Sequence, residues 1–212
     1  RGVAAHALAA LPPAPEITIP IWEKAMKGAD AATVRYALSA LASLGKPAVP
    51  RLIEILKEHK ELRVEVAYTL GKIGPAAGSA VPALCDALGR NEGRNAHAIV
   101  LALGNIGPQA AAAQPLVLKA MEGKDKSLAV IAARTYVAIQ PASSAAKAAA
   151  KAVSVLAACL SDPLPETRME AAENLELLGP LARQAVPALE KAAKDDVKGV
   201  REAAAKALKA IQ

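Results

Sequence analysis

The chain has 212 residues and a formal net charge of +6; hydrophobic residues make up 53% of it, aromatic residues 2%, and Phe is absent. The apolar content is mostly Ala, Leu, Val and Ile in a helical rather than an alternating rhythm, which excludes a sheet protein. The 26 Lys and Arg are interspersed with 20 Asp and Glu, as on an ordinary solvated surface and unlike the dense basic stripe of a nucleic-acid footprint. Apolar runs are broken by charges and prolines before they reach the length of a membrane-spanning helix.

The chain repeats itself. A block ending in Leu-x-x-Ile-Gly closes at positions 45, 74, 107, 140, 179 and 212, with a truncated first copy closing at Pro12. The clearest copies are Leu70-Gly71-Lys72-Ile73-Gly74-Pro75 and Leu103-Gly104-Asn105-Ile106-Gly107-Pro108; Tyr136-Val137-Ala138-Ile139-Gln140-Pro141 is weaker. A period near 33 residues marks a stacked array of small units. The expected class is all-α, an α-solenoid of antiparallel helix pairs, with residues 1–212 as one repeat domain.

In chain order, residues 2–11 read as an orphan second helix. Arg1 stands where Arg63, Arg168 and Arg201 stand in later copies, so the array begins inside a repeat and reads as an excerpt of a longer protein. The missing first helix leaves a face suited to homodimerisation. Leu11-Pro12-Pro13-Ala14-Pro15 is a stiff connector. Six helix pairs follow, over approximately 16–45, 46–74, 75–107, 108–140, 141–179 and 180–212. Their first helices open at Pro20, Pro50, Pro82, Pro115 and Pro187, with Ser154 in the equivalent place of the fifth. Proline suits the first helical turn, where amide hydrogens have no helical partner.

Turns rich in Gly, Asp and Asn come next: Gly28-Ala29-Asp30, Asn91-Glu92-Gly93, Gly123-Lys124-Asp125, Ser161-Asp162-Pro163 and Asp195-Asp196. They are expected to cap the second helices. Each second helix carries apolar residues at offsets 0, 4, 5, 8 and 11, as in Leu62, Val66, Ala67, Leu70 and Ile73. This makes one helical stripe. The closing Gly is expected to end the helix in a left-handed cap. Two connections break the period. The one after Gly45 is three residues short, and the one after Gln140 is six residues long. The latter predicts a loop followed by extra turns on the fifth first helix.

The segments Ala102-Leu103-Gly104-Asn105-Ile106-Gly107, Ala80-Val81-Pro82-Ala83-Leu84 and Ala185-Val186-Pro187-Ala188-Leu189 resemble HEAT-like repeats, in particular the short variant of the phycobilin lyase type. The resemblance covers the whole chain. It implies a superhelix with second helices lining a concave face, and a ladder of contacts between the offset-1 Arg63, Arg168 and Arg201 and the turn residues Asp30, Asp125 and Asp196. The matching residues are packing residues, so the resemblance specifies fold and leaves function open.

Offsets 2, 3, 6, 9 and 10 point away from the core stripe. They give a face that is unusually apolar in its middle: Tyr36, Val64, Tyr68, Leu101, Val130 and Ile131, with His97 and Arg134 among them. Such a patch marks a partner site, with Tyr36, Tyr68 and Arg134 as anchors of the hot-spot type. Tight curvature that buries these side chains against each other is the alternative. His6, His59 and His97 lack metal-ligand spacing. Haem-attachment, phosphate-loop and nucleophile-elbow motifs are missing too, so no cofactor and no catalysis are expected. Cys85 and Cys159 read as free core thiols. The reading is a non-catalytic scaffold that binds a protein or peptide on its concave face. The alternatives are a nucleic-acid-binding array similar to HEAT-like DNA glycosylases, which the acidic Glu65, Glu170 and Glu173 disfavour, and a bilin lyase or chaperone subunit.

Overall fold

A computed structural model describes residues 31–90, 94–141 and 143–212, and every regular element among them is helical. The orphan helix, the proline connector, Pro20 and Asp30 lie outside the described residues. The chain packs as two compact units that divide between Gln109 and Ala110.

In the first unit the helices are α1 (Ala31–Leu44), α2 (Val49–Glu58), α3 (Arg63–Ile73), α4 (Val81–Gly89) and α5 (Arg94–Ile106). The second helices of the repeats, α1, α3 and α5, pack side by side, and α2 and α4 cover α3 and α5 from the other side. The second unit repeats the plan with α6 (Gln114–Met121), α7 (Lys126–Ala138), α8 (Ala145–Cys159), α9 (Pro165–Leu178), α10 (Val186–Ala192) and α11 (Lys198–Ile211). There α7, α9 and α11 form the second-helix row, against α6, α8 and α10.

The apolar stripe is the core of each unit. Offset 8 puts Leu41, Leu70, Leu103 and Leu175 almost entirely out of water, joined by Ile99 and Ile106. Each such side chain contributes roughly 1.5–3 kcal/mol over an exposed one. Small residues set the spacing between second helices. A Cβ on Gly71 would sit 3.1 Å from the Cα of Ala102, so the α3–α5 approach depends on the missing side chain.

Pro50, Pro82, Pro115 and Pro187 all fall in the first turn of α2, α4, α6 and α10. The long connection also does what its length predicts: after a short loop α8 runs for 15 residues, where α2, α4, α6 and α10 have 10, 9, 8 and 7.

Three local features differ from the sequence reading. First, the connections after the closing glycines are ordered as 3₁₀ helix, over Gly74–Ala80, Gly107–Ala113 and Gly179–Ala185, the middle one broken by non-helical backbone at Ala110. The alanine pairs Ala77 and Ala80, Ala110 and Ala113, and Ala182 and Ala185 are buried, because residues three apart eclipse on one face of a 3₁₀ helix. The short connection keeps only Lys46–Ala48 of this segment.

Second, the closing glycines have positive φ without being left-handed helical. Gly74 has φ 69° and ψ −139°, and Gly45 and Gly179 are alike. These angles lie near those of the first central residue of a type II′ turn, a region that strains residues with a Cβ.

Third, only some turn acids cap helices. The Asp125 carboxylate accepts from the Leu128 amide at 3.0 Å, as an N-cap should. Asp162 and Asp195 sit two residues before the caps Leu164 and Val197 and accept from those amides, both at 2.9 Å.

The expected Arg–Asp ladder has one described rung. The Arg168 guanidinium donates to both oxygens of Asp195, each at 2.8 Å, and reaches Asp196 at 3.2 Å. Asp195, rather than the expected Asp196, is therefore the main partner. A rung needs an offset-1 Arg in one copy and an Asp in the next inter-helix turn, and only this pair of copies has both among the described residues. Each described offset-1 Arg also donates to carbonyls that precede its own helix: Arg63 to Leu56 near the end of α2, Arg168 to Asp162 and Pro163, Arg201 to Asp195 and Asp196. These arginines tie carbonyls at the ends of first helices and turns, a structural task.

Candidate groove on the second-helix layer

Tyr68 lies in the middle of α3, where the helix turns its offset-6 position away from α2. It is 46% exposed, far more than an aromatic ring needs for its hydroxyl alone. Beside it opens a groove of about 350 Å³ lined from three successive second helices: Arg35 and Ser39 of α1, Glu65, Tyr68 and Lys72 of α3, and Asn105 of α5. These are residues at offsets 2, 3, 6 and 10, the positions expected to face away from the core. The groove therefore lies on the open face of the second-helix layer of the first unit.

Its chemistry is mixed. The Tyr68 ring supplies an apolar wall, and the cations Arg35 and Lys72 are both exposed. Glu65 is half-buried; its Oε2 is buried and receives no hydrogen bond from the described residues. A buried carboxylate oxygen left open costs on the order of 1–3 kcal/mol, and a donor arriving from outside would relieve it. The Glu65 backbone carbonyl is already occupied by the Thr69 hydroxyl at 2.7 Å.

The residues singled out by sequence separate on the structure. Tyr68 lines the groove. Val64, His97 and Leu101 belong to the same unit and are half-buried. The side chain of Tyr36 lies outside the described residues. Val130 is fully buried at 0% exposure and so leaves the candidate surface: at offset 2 of α7 it serves packing instead. Ile131 is half-buried and Arg134 exposed, both on α7 of the second unit. Lys72 and Asn105 were missed as site residues. Their signal was the offset-10 column, which lines up with the Tyr68 column but in the first unit holds only the polar Ser43, Lys72 and Asn105, outside a search for apolar patches.

Other candidates resolve as ordinary structure. His59 Nδ1 meets Glu61 Oε1 at 3.0 Å on an exposed turn. The Glu61 carboxyl is held below its usual range, first by a backbone hydrogen bond and then by His59. Cys85 and Cys159 are free, and burial pushes both thiols up, away from the reactive thiolate. No group of three His, Cys, Asp or Glu among the described residues could hold a metal ion, and none of the described helices is long and apolar enough to cross a membrane.

Paired helices stacked on recurring offsets define each unit as a helical-repeat array of the α-solenoid class. The sequence profile of HEAT repeats matches residues 49–137 and 115–209; the chain belongs to the HEAT-repeat family. No curated protein sequence matches it. Among solved structures, an engineered protein is 24% identical, with 90% of this chain and 94% of that one covered and a TM-score of 0.58. A designed armadillo-repeat protein in complex with the peptide (KR)4 is 19% identical, with 91% and 99% covered and a TM-score of 0.60. The complex of CpcE and CpcF of phycocyanin lyase from Nostoc sp. PCC7120 is 20% identical, with 98% and 87% covered and a TM-score of 0.57. At these identities the likeness is one of fold.

Proposed function

We propose that the chain is a non-catalytic interaction module, and that the groove beside Tyr68 in the first unit docks an extended peptide segment of a partner protein. The observation that carries this reading is the exposed Tyr68 ring next to a groove whose polar groups are unfilled. An extended peptide offers what the groove lacks. Backbone amides can donate to the open oxygen of Glu65. Acidic side chains can meet Arg35 and Lys72. An apolar side chain can lie on the Tyr68 ring, a residue type common among binding hot spots. The designed armadillo-repeat neighbour holds a peptide of alternating Lys and Arg; the cations here call for the opposite sign.

Ile131 and Arg134 hold the equivalent face of the second unit and belong to the proposal as a secondary contact surface, without Val130. A bilin lyase role has the shared fold in its favour and no residue of the groove.

A displayed peptide library panned on wild type and on Tyr68→Ala/Lys72→Glu tests the reading. Wild type should enrich sequences bearing Asp or Glu next to an apolar residue, and the double variant should not. The same enriched sequences on both proteins would overturn it.

A further inference from the structure

One copy of the repeat departs from its siblings three times. Tyr136 stands at offset 8, where Leu70, Leu103 and Leu175 stand elsewhere. Gln140 replaces the closing glycine of Gly74, Gly107 and Gly179. Six extra residues then follow. In the second unit all three departures converge on one cavity of about 620 Å³, lined by Gln114, Tyr136, Gln140, Ser144, Lys147 and Lys151. Drift in a surface connection would not be expected to bring every irregularity of a repeat to the same place.

The cavity is rich in donors. Gln140 is 9% exposed, and its buried Nε2 finds no hydrogen-bond partner among the described residues, while the Ser144 hydroxyl shares its one hydrogen between the Gln140 Oε1 at 3.3 Å and the Pro141 carbonyl at 3.2 Å. The Tyr136 hydroxyl oxygen accepts from Gln114 Nε2 at 3.3 Å, which leaves its own hydrogen to give. Ser144 is the N-cap of α8 yet makes no side-chain bond to the first helical turn, so that turn keeps the positive end of the helix dipole uncapped. Lys147 is exposed and forms no ion pair with a described carboxylate. Lys151 is already matched, its Nζ 2.7 Å from Glu122 Oε1. No carboxylate is among the described residues that line the cavity. An unfilled, buried amide donor is costly, and here it shares a cavity with a phenol hydrogen and a free ammonium group.

We infer that this cavity is a binding site for a small oxyanion, a carboxylate or phosphate group carried on a compact organic molecule. Gln140 Nε2 and the Tyr136 hydroxyl donate to its oxygens, and Lys147 supplies the countercharge. The site shares no residue with the groove beside Tyr68 and does not rest on it.

The test uses the whole chain and follows the Gln140 side-chain amide by NMR during separate titrations with inorganic phosphate and sodium acetate, at constant ionic strength against chloride. A saturable shift with phosphate, or with acetate, supports the site and tells which oxyanion it takes. Lys147→Gln, at an exposed position that leaves the fold intact, should weaken that binding about tenfold or more, and Gln140→Leu should abolish it, read by the Ser144 amide. Two results would overturn the assignment: no saturable shift with either anion, or equal affinities in wild type and Lys147→Gln, which marks an adventitious ion only.

Discussion

The two units use the same packing and differ in what they add to it. In the first, the second-helix layer is held by apolar and small side chains, as at Gly71 against Ala102. Its open face carries an exposed ring and unmatched polar groups. In the second, the Arg168–Asp195 pair joins successive copies, its side chains only 12% and 11% exposed, and an insertion builds a polar cavity. Where a copy follows the repeat, its residues describe packing. Where it departs, they point to a task particular to this chain.

The largest effects should come from the shared packing. Leu103→Ala in the first unit and Leu175→Ala in the second both empty a fully buried offset-8 site. Each should cost about 2–5 kcal/mol, measured by urea unfolding. Similar costs would confirm a common glue; a near-neutral result in one unit would break the equivalence.

A smaller loss is expected at the closing glycine. Gly74→Ala has room, since the nearest atom to a new Cβ is 3.7 Å away. The backbone at φ 69°, ψ −139° is what resists it, at about 1–3 kcal/mol. Thermal unfolding of Gly74→Ala beside Gly89→Ala, whose added Cβ meets open space at the last residue of α4, isolates the cost of the backbone, since neither site is crowded.

The Arg168–Asp195 pair predicts a pH dependence in the second unit. The Arg168 hydrogen bonds, followed by the Val197 amide, hold the Asp195 carboxyl well below the usual carboxylate range. A depressed folded-state pKa contributes stability above the unfolded value and loses it as pH falls through the folded one. Wild type should therefore lose stability progressively as pH falls below about 4, and Asp195→Asn should be a few degrees less stable at neutral pH with a flatter acid limb. Parallel acid limbs in both proteins would show that the pair is worth little. The smallest stability effect belongs to the groove: Tyr68→Ala should change stability by no more than about 0.5 kcal/mol.

Much of this was legible in the sequence because packing repeats and can be counted. The stripe Val66, Leu70, Leu103, the prolines that open first helices, and the lengthened α8 all follow from period and helix chemistry. The 3₁₀ segments were not legible: alanines three apart also suit a loop, and only burial of Ala77 and Ala80 distinguishes the two. The face carrying Tyr68 followed from its offset, but the fate of each side chain did not. Val130 and Val64 share offset 2, yet one is sealed and the other half-open, which depends on neighbours that no single helix encodes. Arg35, Glu65, Lys72 and Asn105 come together only when three helices align.

The most direct test joins affinity to stability in one variant. An acidic peptide enriched on the wild-type chain is titrated against wild type and Tyr68→Ala by calorimetry, with thermal unfolding of both proteins measured alongside. Affinity about tenfold weaker or more with an unchanged melting temperature is the predicted result. Undiminished affinity, or a loss that only tracks a lower melting temperature, would contradict the division of labour between buried glue and open face.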